Sequence, residues 1–148
     1  MILRRSVLAC LVAVLLPLAA LADQPMIYAR HGKAVGGYDV VAYFTEGRAV
    51  KGEMRFNVMW KGAVWLFSSM RNRELFEANP RAYAPRYGGY CAYGMARGEV
   101  IASAPDAWAI RDGRLYLIHN RDLMGRWESD APGEIALANA NWPGALRN

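Results

Sequence analysis

Cysteine is almost absent from this 148-residue chain: it occurs twice, as Cys10 and Cys91. Cys10 falls in a segment expected to be removed, so Cys91 has no partner in the chain. A disulfide framework is excluded, and the fold has to rest on its core. No Cys-x-x-Cys pair, no dinucleotide glycine fingerprint and no carboxylate pair of diagnostic spacing is present. The glycine-rich "GGYCAYG" lacks the Lys-Ser/Thr that a phosphate loop needs. With no catalytic constellation in sight, the chain reads as a binding protein and not as an enzyme.

Long apolar runs are also missing after residue 22. Before it, Arg4 and Arg5 precede an apolar stretch from Val7 to Leu21, and Ala20-Leu21-Ala22 gives a small-x-small cleavage pattern. Residues 1–22 are therefore expected to be a secretory signal cut between Ala22 and Asp23. Val7-Leu8-Ala9-Cys10 resembles a lipoprotein box but leaves almost no apolar core before the cut. Leu3 stands where a twin-arginine signal carries Ser or Thr. A retained anchor is disfavoured because Val7 to Ala22 is 16 residues, short of the roughly 17–25 of a bilayer span. The expected product is a secreted, periplasmic, soluble domain of 126 residues with no membrane contact after cleavage.

Charge is in short supply as well. Without Arg4 and Arg5, 16 basic residues face 13 acidic ones, a net charge of about +3 that is scattered along the chain. No basic stripe tracks a phosphate backbone, so nucleic acid is not an expected partner.

What remains is rich in aromatic and turn residues. Residues 23–34 read as an exposed lead-in. "YDVVAYF", Tyr38 to Phe44, reads as a strand. "RFNVMW" and "AVWLFS" flank Lys61-Gly62 as a hairpin, and "AWAI" and "RLYLIHN" bracket Arg111-Asp112-Gly113 as another. Helices are predicted over about Met70–Ala78 behind a Ser68 or Ser69 cap, after Asn79-Pro80, and over Tyr90–Arg97 with Gly98 as stop. Two more are predicted over Asp122–Trp127 behind Asn120 and over Gly133–Trp142 before Pro143. The fold class is α+β: one small domain of antiparallel hairpins with short helices packed on one side. It is expected to span residues 35–142, with 143–148 as a tail.

Taken together, "GGYDVVAYF", "WKGAVWLFSS", "NRELFEANPRAYAPRYGGYCAYGMARG" and "DAWAIRDGRLYLIHN", followed by Trp127 and Trp142, resemble the YHS-domain family. The closer likeness is to its small secreted bacterial members, from about Val35 to Trp142. The resemblance implies a treble-clef-like fold and an association with metals. It gives Asp39, Tyr87, Gly88, Gly89 and Tyr90 as motif residues. The family's metal-associated members carry cysteines in an early "DPVCG"-type motif and in an "FCS…C" motif. Here those places read Tyr38 to Tyr43 and Phe67 to Asn72, without cysteine. A four-cysteine zinc site therefore does not carry over.

Three readings of Cys91 follow. The first is a soft-metal contact, copper being the example. Met95 lies four residues on, on the same helical face, and His119 or His31 is available as a third ligand. The second makes Cys91 a small buried hydrophobe, Met95 a gap-filler and the domain a module for a small ligand or protein partner. The third is a reactive redox thiol. His119 ends a strand whose alternation groups it with Leu115 and Leu117, and the plain role for such a residue is a local hydrogen bond. His31 reads as a solvated loop residue, and Asp39 as an acceptor that fixes its turn. Met54, Met59, Met70 and Met124 lack the spacing of a copper-binding tract. Tyr83, Tyr87, Tyr90, Tyr93, Trp60, Trp65 and Trp108 are enough to line an aromatic pocket or to fill a core.

Overall fold

Three two-residue turns organise the strands. His31-Gly32 joins β1 (Ala29–Arg30) to β2 (Lys33–Ala34). Lys61-Gly62 joins β3 (Glu53–Trp60) to β4 (Ala63–Phe67), and Asp112-Gly113 joins β5 (Ala104–Arg111) to β6 (Arg114–Ile118). In each turn both residues have positive φ, between 48° and 75°. That is the hairpin geometry whose twist matches the flanking strands. The structure, a computed structural model, describes residues 23–147. The expected signal segment and Cys10 lie outside the described residues.

The first sheet has the order β1-β2-β4-β3 and is antiparallel except for the β2–β4 pair. The second is the β5–β6 hairpin. Along β3 the half-buried Phe56, Val58 and Trp60 alternate with exposed neighbours, as a strand with one covered face requires. On β6, Leu115 and Leu117 join a core with Val40, Trp65, Phe67 and Phe76. Tyr116 and Ile118, on its other face, join a second core with Tyr87, Cys91, Met95 and Trp127. This strand is thus the shared wall of two apolar clusters. Each large side chain sealed there contributes roughly 1.5–3 kcal/mol.

Helices close the layers, which makes the class α+β. Helix α2 (Met70–Ala78) starts where the Ser69 side chain accepts from the N–H of Asn72, and α3 (Pro80–Tyr83) begins on Pro80. After a 3-10 turn over Arg86–Gly89 comes α4 (Ala92–Met95). Two further helices follow, α5 (Arg121–Ser129) capped by Asn120 and α6 (Ala131–Asn141) capped by Asp130. Among the described residues no helix is long and apolar enough to cross a membrane.

Four expectations need correction. Tyr38–Phe44 is not a strand: only Tyr38 makes a bridge, to Lys51, and Ala42–Thr45 forms a short helix, α1. The Asp39 carboxylate accepts from the N–H groups of Val41 and Ala42, which holds the backbone in a helical turn against its β-branched composition. Residues 23–34 are not merely a lead-in, since they supply β1, β2 and the buried Ile27 and Ala34. The helix expected over Tyr90–Arg97 is shorter, because Cys91 sits at its cap and Ala96 at its other end. The last residues are not a free tail: Ala145 and Leu146 are buried, and the Leu146 carbonyl accepts from the Gln24 N–H at 2.9 Å.

Candidate functional site

Cys91 ends an extended step and begins α4, a position that needs an acceptor for the first free N–H groups of the helix. Its sulfur takes that role, accepting from the Gly94 N–H at 3.4 Å and from the His119 N–H at 3.2 Å. Its own N–H donates to the Ile101 carbonyl at 2.9 Å. Gly94 is required here, because a Cβ would run into the Ile101 side chain. Cys91 and Met95 are both 0% exposed and belong to the same core.

His119 reaches the sulfur with its backbone. Its ring is exposed, and Nδ1 lies 2.9 Å from the Ala102 carbonyl oxygen. His31 is elsewhere, in the β1–β2 turn beside Arg30, Lys33 and Lys51. Among the described residues no group of three or more His, Cys, Asp or Glu side chains is placed to hold a metal ion. The surroundings of Cys91 are those of a cap residue sealed in a core.

Asp39 is likewise enclosed. One carboxylate oxygen serves Val41 and Ala42; the other accepts from the Ser68 N–H, the Ser68 hydroxyl and the Asn72 amide at 2.7–2.8 Å. Five donors satisfy a buried charge and tie α1 to the end of β4 and to α2.

The Tyr87-Gly88-Gly89-Tyr90 stretch has a different character. Tyr87, Gly88 and Gly89 all take positive φ, 56°, 62° and 87°. A Cβ on Gly88 would run into the carbonyl oxygen of Met26, so only glycine lets the N-terminal segment lie against this turn. The Tyr28 N–H donates to the Gly88 carbonyl at 2.9 Å. Tyr87 is the non-glycine in this left-handed run and is held from outside: its hydroxyl donates to Asn139 Oδ1 at 3.0 Å. Burial, with a smaller push from the Tyr116 phenol, raises the Tyr87 pKa to about 12, while Arg86 opposes the shift. The Tyr90 hydroxyl donates to the Pro25 carbonyl at 3.0 Å.

One side of this turn opens onto a cleft of about 380 Å³. Trp60, Tyr87 and Trp142 supply its aromatic surface, and Lys61, Arg81, Arg86 and Arg114 supply cationic groups. Among the described residues no carboxylate lines it. The chain brings these residues from separate places: the β3–β4 turn, α3, the Pro85–Gly88 connection, the β5–β6 turn and the end of α6. The aromatics are braced. Trp60 meets Trp65 and Phe76 edge-on at 5.7 Å, and Trp142 meets Tyr87 at 6.2 Å. Lys61 Nζ stands 4.8 Å from the centre of the Trp60 ring, within cation–π range. Arg86 donates to Asn139 Oδ1 at 3.1 Å, the atom that also receives the Tyr87 hydroxyl.

Of the aromatics read as either pocket lining or core, Trp60 and Tyr87 line the cleft. Trp65 is core, Trp108 packs on Tyr43, Tyr83 on Phe44 and Tyr90 on Tyr28, and Arg97 covers Tyr93. Trp142 and the four basic residues were not predicted for a site. Their positions, 61, 81, 86, 114 and 142, show no pattern in the linear chain. The only local hint was the double glycine at 88 and 89, which marks a close backbone approach. Comparison with known proteins finds no matching family model, no matching curated protein and no matching solved structure.

Proposed function

We propose that the chain is an exported, periplasmic, YHS-like binding module that takes a small ligand into the Trp60–Tyr87–Trp142 cleft without turning it over. Cys91 then belongs to the frame. The carrying observation is the cleft: about 380 Å³, within the roughly 300–1,000 Å³ of small-molecule sites, with braced rings and four cationic side chains in its lining. The export signal and the YHS likeness rest on the sequence motifs. The "YGGY" motif supports the reading further, since its Tyr87 and Gly88 line the cleft and Cys91 lies behind it.

Two indoles in the lining make tryptophan fluorescence a direct reporter. A fragment screen read by fluorescence and thermal shift is expected to yield binders that Trp142→Ala weakens and Cys91→Ala does not. Anaerobic Cu(I) titration is the opposing arm. Tight binding that Cys91→Ala abolishes, with no cleft binder found, would favour the soft-metal reading instead.

A further inference from the structure

Resting on that cleft reading, we infer that the ligand is an organic anion: a flat ring bearing a carboxylate or phosphate. The ring packs among Trp60, Tyr87 and Trp142, and the anionic group is received by Arg86, Arg114, Arg81 and Lys61.

The charge count carries this. Of the 16 basic residues after residue 22, Arg48, Arg55, Arg73, Arg97 and Arg121 have carboxylate partners; eleven have none among the described residues, and what sets four of those apart is that they share one cleft. None of the four cleft cations is in an ion pair among the described residues. They line one concavity, and among the described residues no acid shares that lining to offset their like charge. Arg114 illustrates the point. Its directly opposite residue across the hairpin is Arg111, a like charge where an opposite one would stabilise. Arg111 lies over the Trp127 ring at 6.0 Å, and Arg114 lines the cleft.

Arg86 is the preorganised member. Asn139 fixes one of its nitrogens, and its guanidinium stands 5.7 Å from the Tyr87 ring centre. A guanidinium has five N–H donors in a planar fork, so most remain free for a carboxylate or phosphate. Asn139 acts here as a positioning residue for Arg86 and Tyr87 together.

The test is calorimetric titration of the purified protein with a panel of aryl carboxylates and aryl phosphates, each beside its neutral amide or alcohol. At least one anion is expected to bind about tenfold or more tighter than its neutral counterpart, with the gap shrinking as salt rises. Arg86→Gln and Arg114→Gln are each expected to narrow that gap; Arg114 is exposed and its side chain makes no hydrogen bond among the described residues, so its variant folds even if loss of the Arg86–Asn139 bond destabilises the other. Which anion binds best separates carboxylate from phosphate. Equal affinity for charged and neutral members overturns the anion inference and leaves the cleft reading standing. If no member binds, both fall.

Discussion

The backbone N–H of His119 donates to the sulfur of Cys91 from 3.2 Å, across 28 positions of chain. It joins the end of β6 to the start of α4, and the thiol serves as an acceptor in the core. The native thiol is therefore expected to resist labelling until the protein unfolds, and its labelling rate should follow the population of opened molecules across a urea series. Cys91→Ala removes the acceptor for one buried N–H group, Gly94, and one partly buried one, His119, and should cost about 1–3 kcal/mol, read as a lower urea midpoint at unchanged slope. Fast labelling under native conditions would return the thiol to the candidate site.

Asp39 should be among the most sensitive positions in the domain. Asp39→Ala strands five donors from α1, the end of β4 and α2, at a loss of at least about 3 kcal/mol. Asp39→Asn is expected to be milder, but still destabilising. It converts one acceptor oxygen into a donor facing other donors. Chemical denaturation of the two variants checks the order.

Two glycines separate backbone strain from close approach. Gly113 has φ 70° with nothing near its absent Cβ, so Gly113→Ala should cost only the conformational penalty of about 1–2 kcal/mol. Gly88 has φ 62° and the Met26 carbonyl in the way, so Gly88→Ala should cost more and also loosen the cleft wall. Melting temperatures that fall equally would contradict the packing described at Tyr87–Gly89.

Much of this was legible beforehand because it is local. Ser69 and Asn120 cap helices with their own side chains, Pro80 starts one, and Lys61-Gly62 and Asp112-Gly113 announce hairpins; each signal lies within four residues of its effect. α1 was not legible, since Val40, Val41, Tyr43 and Phe44 have strand-forming habits that the Asp39 carboxylate overrides. Nor was the β1–β2 hairpin, whose strands are two residues each and too short for alternation to show. The cleft was hidden for a third reason. Its residues meet only after β3–β4, α3, β5–β6 and the end of α6 have docked, so no window of sequence contains it.

Alkaline pH should weaken the fold. A free tyrosine ionises at about 10, whereas burial holds the Tyr87 proton until about 12. Between those values the unfolded chain has lost the proton and the folded one keeps it, so stability is full below pH ~10 and declines as pH rises through the window. Tyr43, raised further by burial, adds to the same trend. Denaturant titrations at successive pH values should show the midpoint falling, and Tyr87→Phe should show a shallower fall.

The most direct test of the account is to add an aryl carboxylate to isotope-labelled protein and follow the N–H signals by NMR. The cleft account predicts shifts concentrated at the indole N–H groups of Trp60 and Trp142 and at the Gly88 amide, with the Cys91, Gly94 and His119 amides unmoved. Shifts centred on Cys91 and His119 instead, with the two indoles silent, would contradict it.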